Sequence, residues 1–215
     1  MSPSQAALDE RQGASCLRRL YDRLNAGAER TWLGTRRADL VARATGEVLE
    51  IGAGTGANLA HYRGVERVVA AEPDPAMRAR LRSRLDRAAV PVEVSDAPAE
   101  HLGLPDASVD SVVCTLVLCS VADPDATLAE LRRVLRPGGQ LLVLEHVRGE
   151  GRRARWQDRV TPLWRRVGAG CHPNRDTLVA IERAGFHLEH QESFDPPRVP
   201  PIIRPFVEIV ARPGS

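Results

Sequence analysis

The sequence predicts an α/β fold: a seven-stranded, mostly parallel sheet with helices on both faces and an antiparallel strand at the C-terminal end. Three observations carry that prediction. Short runs rich in Val, Ile and Leu alternate with longer Arg-, Ala- and Leu-rich stretches, as strands alternate with crossover helices in a parallel sheet. A glycine-rich turn, GAGTG at 52–56, follows the first apolar run directly. The length of 215 residues, 43% of them hydrophobic, suits one domain with a substantial core, and no stretch reads as a linker between two.

The elements follow in order. Residues 1–45 read as an N-terminal helical lid laid across the sheet, with Tyr21, Trp32 and Leu33 as its apolar anchors. Strands are expected at 47–51, 67–72, 90–95, 111–119 and 140–146, with helices at 58–62, 74–88 and 125–135 between them. The last of these helices is stopped by Arg136-Pro137-Gly138-Gly139, which combines a residue that cannot continue a helix with two that favour its end. Residues 46–147 thus form the expected core. In the remaining part, 148–215, a stretch bearing Trp156 and Trp164 leads to the loop GAGCHPN and a helix at 175–184. Strands at 186–194 and 205–212 close the chain, joined by a hairpin connection that prolines at 196, 197, 200, 201 and 205 stiffen.

Composition removes several chemistries. All 30 basic residues are arginine. Without lysine there is no Schiff base, no pyridoxal chemistry and no P-loop. The arginines are spread evenly and nearly cancelled by 28 acids, leaving a net charge of +2. That reads as compositional bias and argues against a nucleic-acid partner. Four cysteines without CxxC spacing point to reduced thiols in a cytoplasm, and Cys114 and Cys119 read as small core residues. The polar N-terminus offers neither signal peptide nor membrane anchor. The histidines show no metal-ligand spacing, so no metal is expected.

The most informative segment is VLEIGAGTGAN. Gly52, Gly54 and Gly56 alternate where the turn demands backbone angles that a Cβ opposes and where a ligand must approach the main chain. Glu72, at the end of the next strand, is placed to accept two ribose hydroxyls. Two cofactors fit. Gly52, Gly54 and Ala57 satisfy the nicotinamide pattern GxGxxA, whereas Glu50 ahead of three alternating glycines suits an adenosyl group that has no pyrophosphate to cradle.

Here the chain resembles the class I S-adenosylmethionine-dependent methyltransferases over nearly its whole length. LEIGAGTG is similar to their first motif, AAEPDPAM to the ribose acid with its following Pro and Met, and LRRVLRPGG to the helix and turn before the fifth strand. The resemblance implies a Rossmann-like sheet and S-adenosyl-L-methionine as cofactor. Carried over residue by residue, it places Glu50, Gly52, Ala53, Gly54, Gly56 and Asn58 in the loop around the amino-acid part of the cofactor. Glu72 with Pro73 would hold the ribose, Met77 would pack near the adenine, Thr115 and Leu116 would line the pocket, and Tyr21 would close over it. SDAPAEHLGLPD departs from the family pattern, so the adenine amino group would meet either Asp96 with Ala97, the preferred pair, or Glu100.

The segments DSVVCTLVLCSV, EHV, GC and R-D-T resemble the alkyl thiol S-methyltransferases among these enzymes. That likeness implies a small-molecule acceptor, a thiol natural product or xenobiotic, methylated by in-line displacement. A thiol needs only modest help to ionise, and His146, at the carboxyl end of the fifth strand, is the first candidate base, with His172 the second. Aromatic residues at 32, 156, 164, 194 and 206 suggest an apolar acceptor site. N-methylation of an amine or ethanolamine lipid, O- or C-methylation of a small aromatic, a nicotinamide oxidoreductase and a non-catalytic cofactor-binding subunit remain the alternatives.

Overall fold

The computed structural model describes residues 26–168 and 170–214; Tyr21 and most of the expected lid lie outside them. A π-helical stretch, Glu29–Leu33, runs into α1 (Gly34–Val41). After it come β1 (Glu47–Ile51), β2 (Arg67–Ala71), α2 (Pro75–Arg82), β3 (Val92–Ser95), β4 (Val109–Thr115), α3 (Pro124–Val134) and β5 (Leu135–His146). The C-terminal part supplies α4 (Gly151–Val167), α5 (Thr177–Arg183), β6 (Phe186–Phe194) and β7 (Phe206–Pro213). The seven strands form one sheet in the order β3-β2-β1-β4-β5-β7-β6. Only β7 runs antiparallel to its neighbours.

Each face of the sheet buries one apolar cluster. Leu128, Leu131 and Val134 of α3 and Ile181 of α5 pack on Leu49, Ile51 and Val112. On the other face, Leu40 and Val41 of α1 and Leu81 of α2 cover Val48, Val68 and Val113. The alternation follows from the strand period of two, which sends successive side chains to opposite faces. Caps fix the helix starts: Asp74 accepts from the backbone N–H groups of Ala76 and Met77, and Asp123 from those of Asp125 and Ala126. Because β1 pairs with β2 on one side and β4 on the other, the chain reverses direction across the sheet between β1 and β4. A ligand crevice belongs outside the carboxyl ends at such a switch point.

Several expected elements differ. No helix forms at 58–62; the segment is a run of turns, because Asn58 and Tyr62 turn inward to bind Glu50 and those tertiary bonds outweigh a weak local propensity. The fourth strand stops at Thr115 instead of 119, since Leu116 adopts a φ of 57° and bends the chain into a turn. The helix expected at 74–88 ends at Arg82, where the Ser83 hydroxyl donates to the Arg80 carbonyl, and a short 3-10 turn, Leu85–Arg87, follows. The fifth strand begins at Leu135, before the Pro-Gly-Gly, and absorbs it through a register shift opposite Val109 and Ser111. Residues 151–167, expected only as a tryptophan-bearing stretch, form the longest helix among the described residues, with Pro162 inside it. Among the described residues, no helix is long and apolar enough to cross a membrane.

Candidate active site

The carboxyl ends of β1, β2 and β4 bring the glycine loop, Glu72 and Thr115 to one crevice. Gly52 and Gly54 both hold a φ of 58°. A Cβ at Gly52 would stand 2.3 Å from Val117, whereas one at Gly54 would meet only the Gly52 carbonyl, at 3.8 Å, and project into open space. Gly54 is thus a cradle that only a missing side chain keeps clear. The Glu72 carboxylate accepts from the Gly54 and Asp74 backbone N–H groups, at 2.8 Å each, so its plane is set before any ligand arrives. Gly56 instead faces Leu59 and Leu81.

Behind the loop lies a buried polar network. The Glu50 carboxylate, 2% exposed, accepts from Asn58 Nδ2 (3.0 Å) and the Tyr62 hydroxyl (2.8 Å). Burial raises its pKa to about 7 in spite of those two bonds and of the Arg37 charge. Arg37, from α1, donates to Thr115 Oγ1 (2.7 Å), Asn58 Oδ1 (3.2 Å) and Glu29 (3.0 Å). It ties the π-helical stretch to the strand ends.

Two adjoining cavities open from this network. One, of about 420 Å³, is lined by Gly52, Gly54, Glu72, Pro73, Met77, Ala97, Glu100, Thr115 and Leu116. The other, of about 350 Å³, shares Gly52, Gly54 and Thr115 with it and adds Glu50, Ala53 and Arg37. These residues fit an adenosyl group on one side and an amino-acid group on the other. Asp96 does not line either cavity; its side chain is 80% exposed and stands 4.0 Å from Arg78. Glu100 lines the first, with its carboxylate accepting from the Ala122 and Asp123 N–H groups.

A third cavity, of about 530 Å³, shares Leu116 and Ser120 with the first. Its wall is largely apolar: Trp32, Leu33, Trp164, Val199, Ile203 and Phe206, with Cys119, His146 and Cys171 as its chemically reactive members. His146 Nε2 lies 3.1 Å from Cys171 Sγ, and the Trp164 indole donates to the same sulfur (3.4 Å). Hydrogen bonding from Cys119, then from His146 and Trp164, holds the Cys171 pKa well below that of an ordinary thiol, down to about 4. Burial opposes charge on His146, but Cys171 and the Glu145 carboxylate outweigh it and raise the ring's pKa. His146 Nδ1 is buried and finds no hydrogen-bond partner among the described residues. His172 stands apart from this wall, its Nδ1 3.3 Å from the Cys119 carbonyl. Trp156 is 43% exposed and lines none of the three cavities.

Three participants escaped the sequence reading. Arg37 carries no motif. Cys119 is buried as expected, at 4% exposure, but it also borders the third cavity, while Cys114 is fully buried in the core as expected. Cys171 had only the short GC string as a signal.

This geometry is that of a known class. A methyltransferase-domain family model matches residues 49–143. A methyltransferase structure from Bacillus halodurans superposes with a TM-score of 0.70 at 18% identity, over 86% of this chain and 100% of that one. The chain belongs to the class I S-adenosylmethionine-dependent methyltransferases. Within that class it is similar to the human thiol S-methyltransferase TMT1A, at 36% identity over 74% of this chain and 68% of the relative. It is also similar to rat thiol S-methyltransferase TMT1B, at 41% identity over 70% of this chain and 63% of that protein. The chain therefore spans a little under two thirds of the rat protein. The [4+2]-cyclase SpnF shares the fold, with a TM-score of 0.65 at 20% identity over 83% of this chain and 81% of that one, so the architecture alone does not set the reaction.

Proposed function

We propose that this chain transfers the methyl group of S-adenosylmethionine to the sulfur of a small, apolar thiol. The observation that carries the reading is the third cavity, an apolar chamber that meets the cofactor crevice at Leu116 and presents two cysteine sulfurs and one imidazole. The likeness to thiol S-methyltransferases supports it. In the proposed arrangement the Glu72 carboxylate, already oriented by two backbone N–H groups, takes the ribose hydroxyls. Ala97 and Met77 border the adenine in place of the exposed Asp96, and Glu50 and Arg37 face the amino-acid end.

When bound, the cofactor supplies the electrophilic methyl, and the displacement needs alignment more than covalent help. Leu116 stands where the two chambers meet and the methyl would cross. The acceptor's apolar body rests against Trp32, Trp164 and Phe206, and its sulfhydryl meets the polar floor at His146 and Cys171, where its proton is lost to solvent. Incubating the chain with S-adenosylmethionine and a panel of apolar thiols, amines and phenols, then weighing the products, tests this. Methylated thiols are expected; methylation of amines alone would replace the reading by the N-methyltransferase one.

A further inference from the structure

We infer that Cys119, His146 and Cys171 form a divalent transition-metal site, suited to zinc, whose open position faces the acceptor cavity. One ligand atom from each of the three lies within 4.8 Å of the others. Zinc holds cysteine sulfur at about 2.3 Å and imidazole nitrogen at about 2.0 Å, so tetrahedral ligation needs the sulfurs about 3.8 Å apart, inside the 4.8 Å span the three ligand atoms already share. Two thiolates and one imidazole are also a donor set that selects zinc over magnesium or calcium.

The backbone around the cluster holds the three ligands in place. The N–H of His172 donates to the Cys119 carbonyl (2.8 Å), and the Arg175 guanidinium donates to the carbonyls of Leu118 (2.5 Å) and Val121 (2.7 Å). The loop carrying Cys171 is thereby fastened to the turn carrying Cys119. Glu145, fully buried, accepts from the N–H groups of both Cys119 (3.2 Å) and His146 (3.0 Å). It fixes the main chain that carries two of the three ligands.

Three protein ligands with a fourth position left open is the arrangement of catalytic zinc, while structural zinc is closed by four. All three residues border the acceptor cavity. On the thiol reading above, the fourth ligand is the acceptor sulfur: its S–H bond breaks, the proton leaves to solvent, and the sulfur's electron pair binds the metal. The sulfur then attacks the methyl group as the sulfonium carbon–sulfur bond breaks, leaving that electron pair on the sulfur of S-adenosylhomocysteine, and the thioether formed is a weaker ligand that departs. The imidazole acts here as a ligand that positions the ion.

Cobalt(II) titration of the reduced, chelator-treated chain is the test, read by absorbance. One equivalent should produce a sulfur-to-cobalt charge-transfer band with tetrahedral d–d bands, and zinc should bleach both. Cys119→Ser and Cys171→Ser should each weaken the charge-transfer band and lower zinc affinity at least about 100-fold, and Cys114→Ser should leave it intact. S-adenosylhomocysteine binding by calorimetry confirms that each variant is folded. Absence of the band, or its persistence in both cavity variants, overturns the site. Benzyl mercaptan should shift the d–d bands; a cobalt spectrum indifferent to it overturns the open position. Thiol methylation at full rate by the metal-free chain would overturn the metal's role yet leave the thiol reading standing, whereas no thiol product from the zinc-loaded chain would remove that reading while the cobalt spectrum still reports the site.

Discussion

Around the cofactor crevice, the wall is drawn in chain order from residues 51–122: Gly52, Gly54, Glu72, Pro73 and Met77 follow one another along β1, the glycine loop, β2 and α2, and Ala97, Thr115 and Leu116 follow at the ends of β3 and β4. The acceptor cavity is assembled from distant places. Trp32 comes from the π-helical stretch, Cys119 from the turn after β4, His146 from β5, Cys171 from the loop before α5, and Phe206 from β7. The first region is shaped largely by backbone geometry and the second by side chains. A cofactor common to many relatives can be held by a local motif, while an acceptor is held by whatever the folded chain brings together.

Five perturbations test how separate the two regions are. Gly52→Val should have the largest effect, since its Cβ would fall 2.3 Å from Val117 at a φ of 58°. S-adenosylhomocysteine affinity by calorimetry should drop more than about 100-fold, as for other overpacked, strained positions. His146→Gln should lower turnover about 100-fold while that affinity stays within about twofold; a parallel loss of affinity would show that the two regions are not separate.

Arg37→Leu removes one charged partner from a network of Asn58, Thr115 and Glu29. Cofactor affinity should fall about tenfold, and urea unfolding should show a loss of about 2 kcal/mol. For Glu50, whose pKa is raised to about 7, the sign follows from burial. Folded chain prefers the neutral acid, so its contribution to stability is complete below the ordinary carboxylate pKa and is lost as pH rises through about 7. A cationic cofactor prefers the carboxylate. Affinity should therefore climb up to about tenfold between about pH 6 and 8, with proton release on binding, and Glu50→Gln should flatten the profile. Calorimetry in buffers of different ionisation enthalpy measures both. The smallest effect belongs to Trp156→Ala, within about twofold in every constant, because that side chain is half exposed and borders none of the three cavities.

Legibility divides along the same line. Strand existence and the glycine-to-Glu72 crevice were readable because hydrophobic period and backbone demands are written locally. Boundaries were less so: Leu116 bends the fourth strand early through a left-handed residue that no side-chain pattern marks. The helix at 151–167 was hidden by its many arginines and by Pro162. Asp96 was preferred over Glu100 from the order of residues, yet it faces solvent while Ala97 beside it borders the cavity. Arg37 was lost in a chain where arginine is the sole long cation, and its role comes only from where α1 packs. The cluster at 119, 146 and 171 was invisible because its spacings match no ligand pattern; folding alone makes them neighbours.

One feature of the acceptor wall also makes it optically addressable. Of the three tryptophans in the chain, Trp32 and Trp164 border the same cavity, and the Trp164 indole sits on the Cys171 sulfur. In a Trp156→Phe background, all remaining indole emission comes from that chamber. Thiolates and bound cobalt both quench excited indole, so filling the chamber or loading the sulfur cluster changes the colour and lifetime of emission without any added label. Occupancy of the acceptor side can then be followed in real time while the cofactor side stays dark.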